Sequence, residues 1–306
     1  MKILVATEKP FAKAAVDGIA ALVKEAGHTL ALLEKYTSVE QLYEAVSDAD
    51  ALIVRSDKIT KEVINAAKNL KIIVRAGAGY DNLDLAACTQ RGIIAMNTPG
   101  QNSNAVAELA IGMMVFMARN AFNPGTGSEL KGKRIGLQAY GNVGSLVAKI
   151  AKGFGMKAYA YDPYSQKIET DKEFVTSVPT VEELYEKSDF ISIHIPAIPQ
   201  TIGSIGHNLL DRLPKGACII NTARKEVINE KELIEVLEKR SDLKYITDVA
   251  TENHSIIAEK FGNRVFATPK KMGAQTSEAN INAGLAATKQ IIKFLKSGDT
   301  TFQVNK

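Results

Sequence analysis

Cysteine is scarce. The 306 residues hold two, Cys88 and Cys218, far apart and in no CxxC or zinc-ligand pattern. This argues against a disulfide framework and a structural metal, so no metal is expected, and two buried, reduced thiols are. Long apolar runs are missing as well. The longest, Leu109 to Ala118, is ten residues, about half of what a membrane span needs. The N-terminal run Met1–Glu8 is too short for a signal peptide and meets a charge at once. No secretion or membrane insertion is expected, and the expected location is cytoplasmic. Neither sign of charge dominates: 38 Lys and Arg stand against 34 Asp and Glu, a net +4. With no Lys/Arg cluster, that balance helps small anions mildly and gives no nucleic-acid footprint. Histidine is rare too, with four in the chain. There is no internal repeat, low-complexity tract or disordered linker.

What is present is the mix of a soluble globular protein, 45% apolar and 24% charged. At roughly 150 residues per domain the length suggests two domains. Lys2–Thr7, Ala51–Arg55 and Ile72–Arg75 read as buried strands. Phe11–Ala26, Ser38–Val46 and Lys61–Lys68 read as helices between them. That alternation implies a parallel sheet with helices on its faces. After Pro99, a long helix is expected over Asn104–Asn120. Six further strand-like pieces follow: Arg134–Gln138, Lys157–Tyr161, Phe190–His194, Ala217–Asn221, Tyr245–Asp248 and Val265–Ala267. Helical patterns at Ser145–Phe154, Val181–Lys187 and Glu230–Lys239 lie among them, and a last helix spans about Ser277–Leu295. The series matches a doubly wound dinucleotide domain.

The piece Arg134–Gln138 runs into Ala139-Tyr140-Gly141-Asn142-Val143-Gly144 and a helix. This is G-x-G-x-x-G with Ala in place of the first glycine. Gly141 would admit a pyrophosphate close to the backbone, and Gly144 would let helix and strand pack tightly. The helix N-terminus would offer N–H groups and a positive dipole end to the anion. A glycine triplet alone is weak evidence, since tight turns use glycine too. Here the next strand ends in Asp162, 23 positions after Ala139. A carboxylate there suits ribose hydroxyls and repels a 2′-phosphate, which favours NAD over NADP.

Three further stretches stand out: Val74–Asn82 (VRAGAGYDN), Asn97–Glu108 (NTPGQNSNAVAE) and Asn221–Arg224 (NTAR). With the loop after Gln138, Asp162, Asp248 and Gly273–Thr276, they fall in the order of a known family. The chain resembles the D-2-hydroxyacid dehydrogenases, and within them the D-3-phosphoglycerate dehydrogenases. The resemblance implies an α/β fold of two Rossmann-like, doubly wound parallel-sheet domains with a cleft between them. Residues 1–98 plus about 283–306 would bind substrate, and 99–282 would bind NAD. It implies a homodimer built partly on the helix near Asn104.

The resemblance assigns Arg224 as the catalytic arginine. A guanidinium there could hold a carboxylate bidentately and polarise the reacting carbonyl. Gly77, Ala78 and Gly79 match a backbone loop for the substrate carboxylate, and Asn102 a further substrate contact. Arg55 and Ser56 match a pair that meets a substrate phosphate; a solvated strand end is the plain alternative. Gly141, Asn142, Val143, Gly144, Asp162, Pro196, Thr201, Thr222, Ala223 and Asp248 match cofactor contacts. His194 reads as a packing residue.

One departure matters. Most members use a Glu–His proton relay, with His after a Thr-Pro. Here that stretch is Thr268-Pro269-Lys270-Lys271-Met272-Gly273 and holds no histidine; His28, His194, His207 and His254 lie elsewhere. The place of the Glu is Asn253, with Glu252 one residue short. A branch of the phosphoglycerate dehydrogenases carries Lys at this site, and Lys271 takes that place, with Lys270 as fallback. A lysine near Arg224 and partly desolvated would have its pKa lowered, as a base requires. A carboxylate partner would raise it, so loss of both relay members is coherent. His254 is expected in an exposed loop.

The implied activity is oxidation of 3-phospho-D-glycerate to 3-phosphohydroxypyruvate, the first step of serine biosynthesis. The alternatives are reduction of an unphosphorylated 2-keto acid (glyoxylate, hydroxypyruvate or pyruvate) and a catalytically silent NAD-binding interaction protein. The length leaves no room for a serine-sensing domain, so no such feedback is expected.

Overall fold

Short runs of Val, Ile, Leu and Ala form the strands of two separate parallel sheets in the computed structural model, which describes residues 1–306. The chain divides into two units, Met1–Asn102 with Gln275–Lys306, and Ser103–Ala274.

The first unit holds β1 (Lys2–Thr7), β2 (Thr29–Glu34), β3 (Ala51–Val54), β4 (Ile72–Arg75) and β5 (Ile94–Asn97). Their order is β2-β1-β3-β4-β5, all parallel. Helices α1 (Lys13–Glu25), α2 (Val39–Val46), α3 (Lys61–Ala66) and α4 (Leu85–Gln90) connect them. Side chains alternate across the sheet with period two. Leu4, Ala6, Leu52 and Val54 enter one core with Leu42 and Ile64. Ile3, Val5 and Ile53 enter the other with Ile19 and Val23. A sheet buried on both faces needs continuous apolar strands, which is why β1, β3 and β4 are plain in the sequence. The strands β2 and β5 were not expected. The former is half-exposed along its length, and the latter is Ile-Ala-Met-Asn, poor in β-branched residues.

The second unit holds β6 (Arg134–Gln138), β7 (Lys157–Tyr161), β8 (Val175–Ser177), β9 (Phe190–Ile193), β10 (Cys218–Asn221), β11 (Lys244–Thr247) and β12 (Val265–Ala267). The order is β12-β11-β10-β9-β6-β7-β8, again parallel. Helices α5 (Ser103–Ala118), α6 (Asn142–Gly153), α7 (Lys167–Thr170), α8 (Val181–Glu186), α9 (His207–Leu210), α10 (Glu230–Lys239) and α11 (His254–Phe261) belong to it. The sheet has seven strands where six were expected. The extra one, β8, is a three-residue edge strand with two exposed positions. His254 opens α11 and is half-buried, which corrects its placement in an exposed loop. Ile257 and Phe261, four apart, turn one face of that helix into the core.

The chain returns to the first unit in α12 (Ser277–Ser297). Thr276 caps it, its Oγ accepting the Ala279 N–H at 3.1 Å. Ala283, Ala287 and Ile291 share a core with Ile19 and Val23 of α1. The second segment of this unit begins at Gln275, just before α12, so the helix lies wholly within it. The first change falls after Asn102 rather than after Thr98. The tail then covers the edge strand β5. Asn305 Oδ1 accepts Ala95 N–H at 2.8 Å, and Val304 N–H donates to Ala95 O at 2.8 Å. No helix is long and apolar enough to cross a membrane.

Candidate active site

Ligands of open parallel sheets bind beyond the strand C-terminal ends, where the strand order reverses. In the second unit that point lies between β6 and β9. The nucleotide loop leaves β6 there, and His194-Ile195-Pro196 leaves β9.

Ala139 follows β6 with φ +77°, a left-handed conformation. The position for which glycine is usual is thus held by a strained alanine. Gly144 is required by space: a Cβ would lie 2.3 Å from Ala139 O. A Cβ on Gly141 would meet nothing within 4 Å, so its face of the loop is open. The first turn of α6 begins at Asn142, three residues earlier than expected, and its amides have no intrahelical acceptors. Asp162 braces the loop. Its Oδ2 accepts Tyr140 N–H at 2.8 Å and its Oδ1 accepts Tyr164 N–H at 2.9 Å. Tyr140, fully buried, donates its hydroxyl to Asp171 at 2.8 Å. Sequence reasoning missed Tyr140, because a buried aromatic between Ala139 and Gly141 carries no motif. His194 lies 3.5 Å from the Cβ position of Gly144 and bonds Ser192 Oγ at 2.9 Å. Burial holds its pKa down at about 4, so it packs as a neutral ring. Thr201 donates to Pro196 O at 2.5 Å, tying those two residues into one turn.

At the ends of β10 and β11 the remaining residues converge. Asn221, fully buried, bridges the turn that carries Thr222, Ala223 and Arg224. Its Oδ1 accepts Ala223 N–H at 3.0 Å and its amide donates to Arg224 O at 2.9 Å. Arg224 is half-buried and donates to Ala223 O at 2.9 Å. Asp248 Oδ2 accepts the N–H groups of Met272 and Gly273 at 3.1 and 2.7 Å. Asp248 therefore anchors the loop that carries Lys271. Lys271 itself is exposed. This corrects the expectation of a desolvated lysine: a short turn of Lys-Lys-Met between Pro269 and Gly273 has too little apolar bulk to bury an ammonium. Glu252 is also exposed and pairs with Lys225 at 3.8 Å.

Thr222 Oγ and Asp248 Oδ1 are buried and lack a hydrogen-bond partner. Buried polar atoms are normally satisfied, so these two mark where a polar ligand belongs. With the open face at Gly141 and the amides of α6, the residues present fit a dinucleotide.

In the first unit the order reverses between β1 and β3. Arg55 and Ser56 follow β3 there, with Lys9, Pro10 and Phe11 after β1. Arg55 is half-buried, its guanidinium 5.1 Å from the Phe11 ring centroid. Nη1 donates to Lys9 O and Pro10 O, both at 3.3 Å, and Nη2 donates to Asn280 Oδ1. Of five N–H donors, Nε–H and one on Nη2 remain to meet an oxyanion. Gly77, Ala78 and Gly79 follow β4. A Cβ on Gly77 would lie 1.5 Å from Arg75 Nη1, so the arginine folds across the bare glycine. Asn97 fixes the loop, donating to Ala78 O at 2.6 Å. Asn102, half-buried, ends the unit's first segment.

Comparison with known proteins follows the same division. Residues 114–270 match the family model described as D-isomer specific 2-hydroxyacid dehydrogenase, NAD binding domain. The chain is 38% identical over 275 residues to a D-3-phosphoglycerate dehydrogenase of Methanocaldococcus jannaschii, across 84% of this chain and 52% of that one. It is 36% identical over 286 residues to a hydroxypyruvate reductase of Thermotoga maritima, across 87% and 91%. It is similar to the crystal structure of NAD+-bound 3-phosphoglycerate dehydrogenase in Entamoeba histolytica, with TM-score 0.90, 51% identity, and coverage of 100% and 99%. The chain spans about half the length of the curated D-3-phosphoglycerate dehydrogenases it matches.

Proposed function

The chain belongs to the D-isomer specific 2-hydroxyacid dehydrogenase family, and from that premise we propose that it oxidises 3-phospho-D-glycerate to 3-phosphohydroxypyruvate with NAD. The observation that carries this reading is the 51% identity, over the whole chain, with a structure titled as an NAD+-bound 3-phosphoglycerate dehydrogenase. Arg55 at the switch point of the first unit supports it, because a guanidinium with two donors left suits a phosphoryl group.

Gly141, Asn142, Val143 and Gly144 would hold the pyrophosphate of NAD, Asp162 its ribose, and Pro196, Thr201, Thr222, Ala223 and Asp248 the remainder. NAD, when bound, supplies the hydride acceptor. Arg224 binds the substrate carboxylate and stabilises negative charge that grows on the C2 oxygen. Gly77, Ala78 and Gly79 present backbone N–H groups to that carboxylate, with Asn102 beside them. Ser56 donates to the phosphate alongside Arg55. Lys271 Nζ, as the neutral amine, takes the proton of the C2 hydroxyl and returns it in the reverse direction. Since Lys271 is exposed, its desolvation comes from bound substrate and cofactor. The working species is a homodimer, supported by Phe122, 69% exposed beside α5.

A second reading is reduction of an unphosphorylated 2-keto acid. The relative named hydroxypyruvate reductase favours it, because this chain matches 91% of that protein. A silent NAD-binding protein would not need Arg224 with Lys271. Absorbance at 340 nm separates the three. NAD with 3-phosphoglycerate should produce NADH. NADH loss with hydroxypyruvate alone would favour the second reading, and no change in either the third.

A further inference from the structure

Asp57 is a buried acid that the mechanism does not use. It is 4% exposed and follows Arg55 by two residues. A carboxylate so placed must have its oxygens satisfied, and here it accepts three hydrogen bonds. Oδ1 accepts Glu8 N–H at 2.7 Å and the Tyr36 hydroxyl at 2.8 Å. Oδ2 accepts the N–H of Arg55 at 3.2 Å. The carbonyl of the same Arg55 is also held: Arg75 Nε donates to it at 2.9 Å and Asn82 Nδ2 at 3.3 Å. Asn82 also donates to Asp57 O at 2.7 Å. The peptide groups on both sides of Arg55 are thus fixed by the side chains of Asp57, Arg75 and Asn82.

We propose that Asp57 is a positioning residue that fixes the Arg55–Ser56 turn for the phosphoryl group of the substrate. This rests on the reading above that Arg55 meets a phosphate. The physical reason is preorganisation. An arginine carries several rotatable bonds, and a mobile backbone beneath it would add to the ordering cost of each binding event. With the backbone pinned by Asp57 and the guanidinium seated on Phe11, that ordering is complete before substrate arrives. A carboxylate is required because acceptors are needed on both oxygens. An amide could still accept from Glu8 and Tyr36, but would turn its own N–H groups toward the Arg55 N–H.

The test is a kinetic split in the full-length protein. D57N should raise KM for 3-phosphoglycerate about five- to tenfold, a loss of roughly 1–1.4 kcal/mol. Its kcat and its KM for NAD should stay within about twofold. KM for unphosphorylated D-glycerate should not change. Y36F removes one bond to Oδ1 and leaves the Arg55 bond. It should lower Tm while KM for 3-phosphoglycerate stays at the wild-type value. R55A separates the two ideas. If R55A leaves that KM unchanged, the phosphate reading of Arg55 fails, and the inference with it. If R55A raises KM and D57N does not, the inference fails alone. Equal rises in all constants in D57N, or a rise in Y36F matching D57N, would show a structural role and overturn it.

Discussion

Gly144→Ala tests the nucleotide loop most directly. The new Cβ would sit 2.3 Å from Ala139 O and 3.3 Å from Ala139 C, with His194 Cδ2 at 3.5 Å. Ordinary contact begins about 3.5 Å between heavy atoms, so the overlap with oxygen is roughly 1 Å. The obstacle is backbone, and that backbone is tied: Ala139 N–H bonds Tyr161 O at 2.9 Å, and Tyr140 N–H bonds Asp162. The strain must be relieved by moving the first turn of α6. Overpacking of this kind costs about 1–3 kcal/mol. In a unit of this size, each kcal/mol lowers Tm by about 2–4 °C. Because the displaced turn is the one proposed to meet pyrophosphate, Kd for NAD should rise at least about tenfold. Calorimetric melting and titration with NAD measure both. Gly141→Ala is the contrast, since its Cβ meets nothing within 4 Å. That variant should keep its Tm yet bind NAD weakly, the methyl group standing where pyrophosphate approaches. A Gly144→Ala protein with wild-type Tm and wild-type Kd would refute the packing argument.

Ala139→Gly should stabilise the protein by about 0.5–1 kcal/mol. It relieves a left-handed alanine at φ +77°, worth about 1–2 kcal/mol, against the roughly 0.5–1 kcal/mol that glycine costs in the unfolded chain. An unchanged or lower urea midpoint would contradict this. His194 has its pKa held down at about 4 by burial. Its neutral form therefore contributes stability that is whole above the unfolded value near 6.5 and is lost as pH falls toward 4. The slope should approach at most about 1.4 kcal/mol per pH unit. His194→Gln should flatten the decline between pH 6.5 and 4, and a decline as steep as wild type would count against it. Lys271→Ala should lose turnover by about a hundredfold or more with Kd for NAD unchanged. Wild-type turnover should rise with pH above neutrality. Near-normal turnover in the variant, or a flat profile from pH 6 to 10, would remove Lys271 as the base.

The central strands and the nucleotide loop were legible because local pattern determines them. The runs of β1, β4 and β6 are almost wholly buried and so read as continuous strands, and β7 alternates buried Ala with more exposed Lys and Tyr. Edge strands such as β2 and β8 were not legible, because half-exposed strands share their composition with loops and helices. Among site residues, Gly141, Gly144, Asp162 and Arg224 sit in motifs that local sequence defines. Tyr140, Asn82 and Asn280 act through partners 20 or more residues away, and Asp57 ties its neighbour Arg55 to the distant Glu8 and Tyr36, so no local spacing announces them.

By itself the sequence determined the chemistry available to this protein. Two cysteines and four histidines leave few thiol and imidazole groups, and the stretch after Thr268 holds Lys270 and Lys271 and no histidine. Tertiary structure decided how those groups are held. It put Arg55 at a strand-order reversal with its backbone braced by Asp57. It also left Lys271 exposed on a loop that Asp248 anchors. The reason is that residue type fixes what a side chain can donate, accept or titrate. Burial and partner distance depend on segments far apart in the chain, and only folding brings those together.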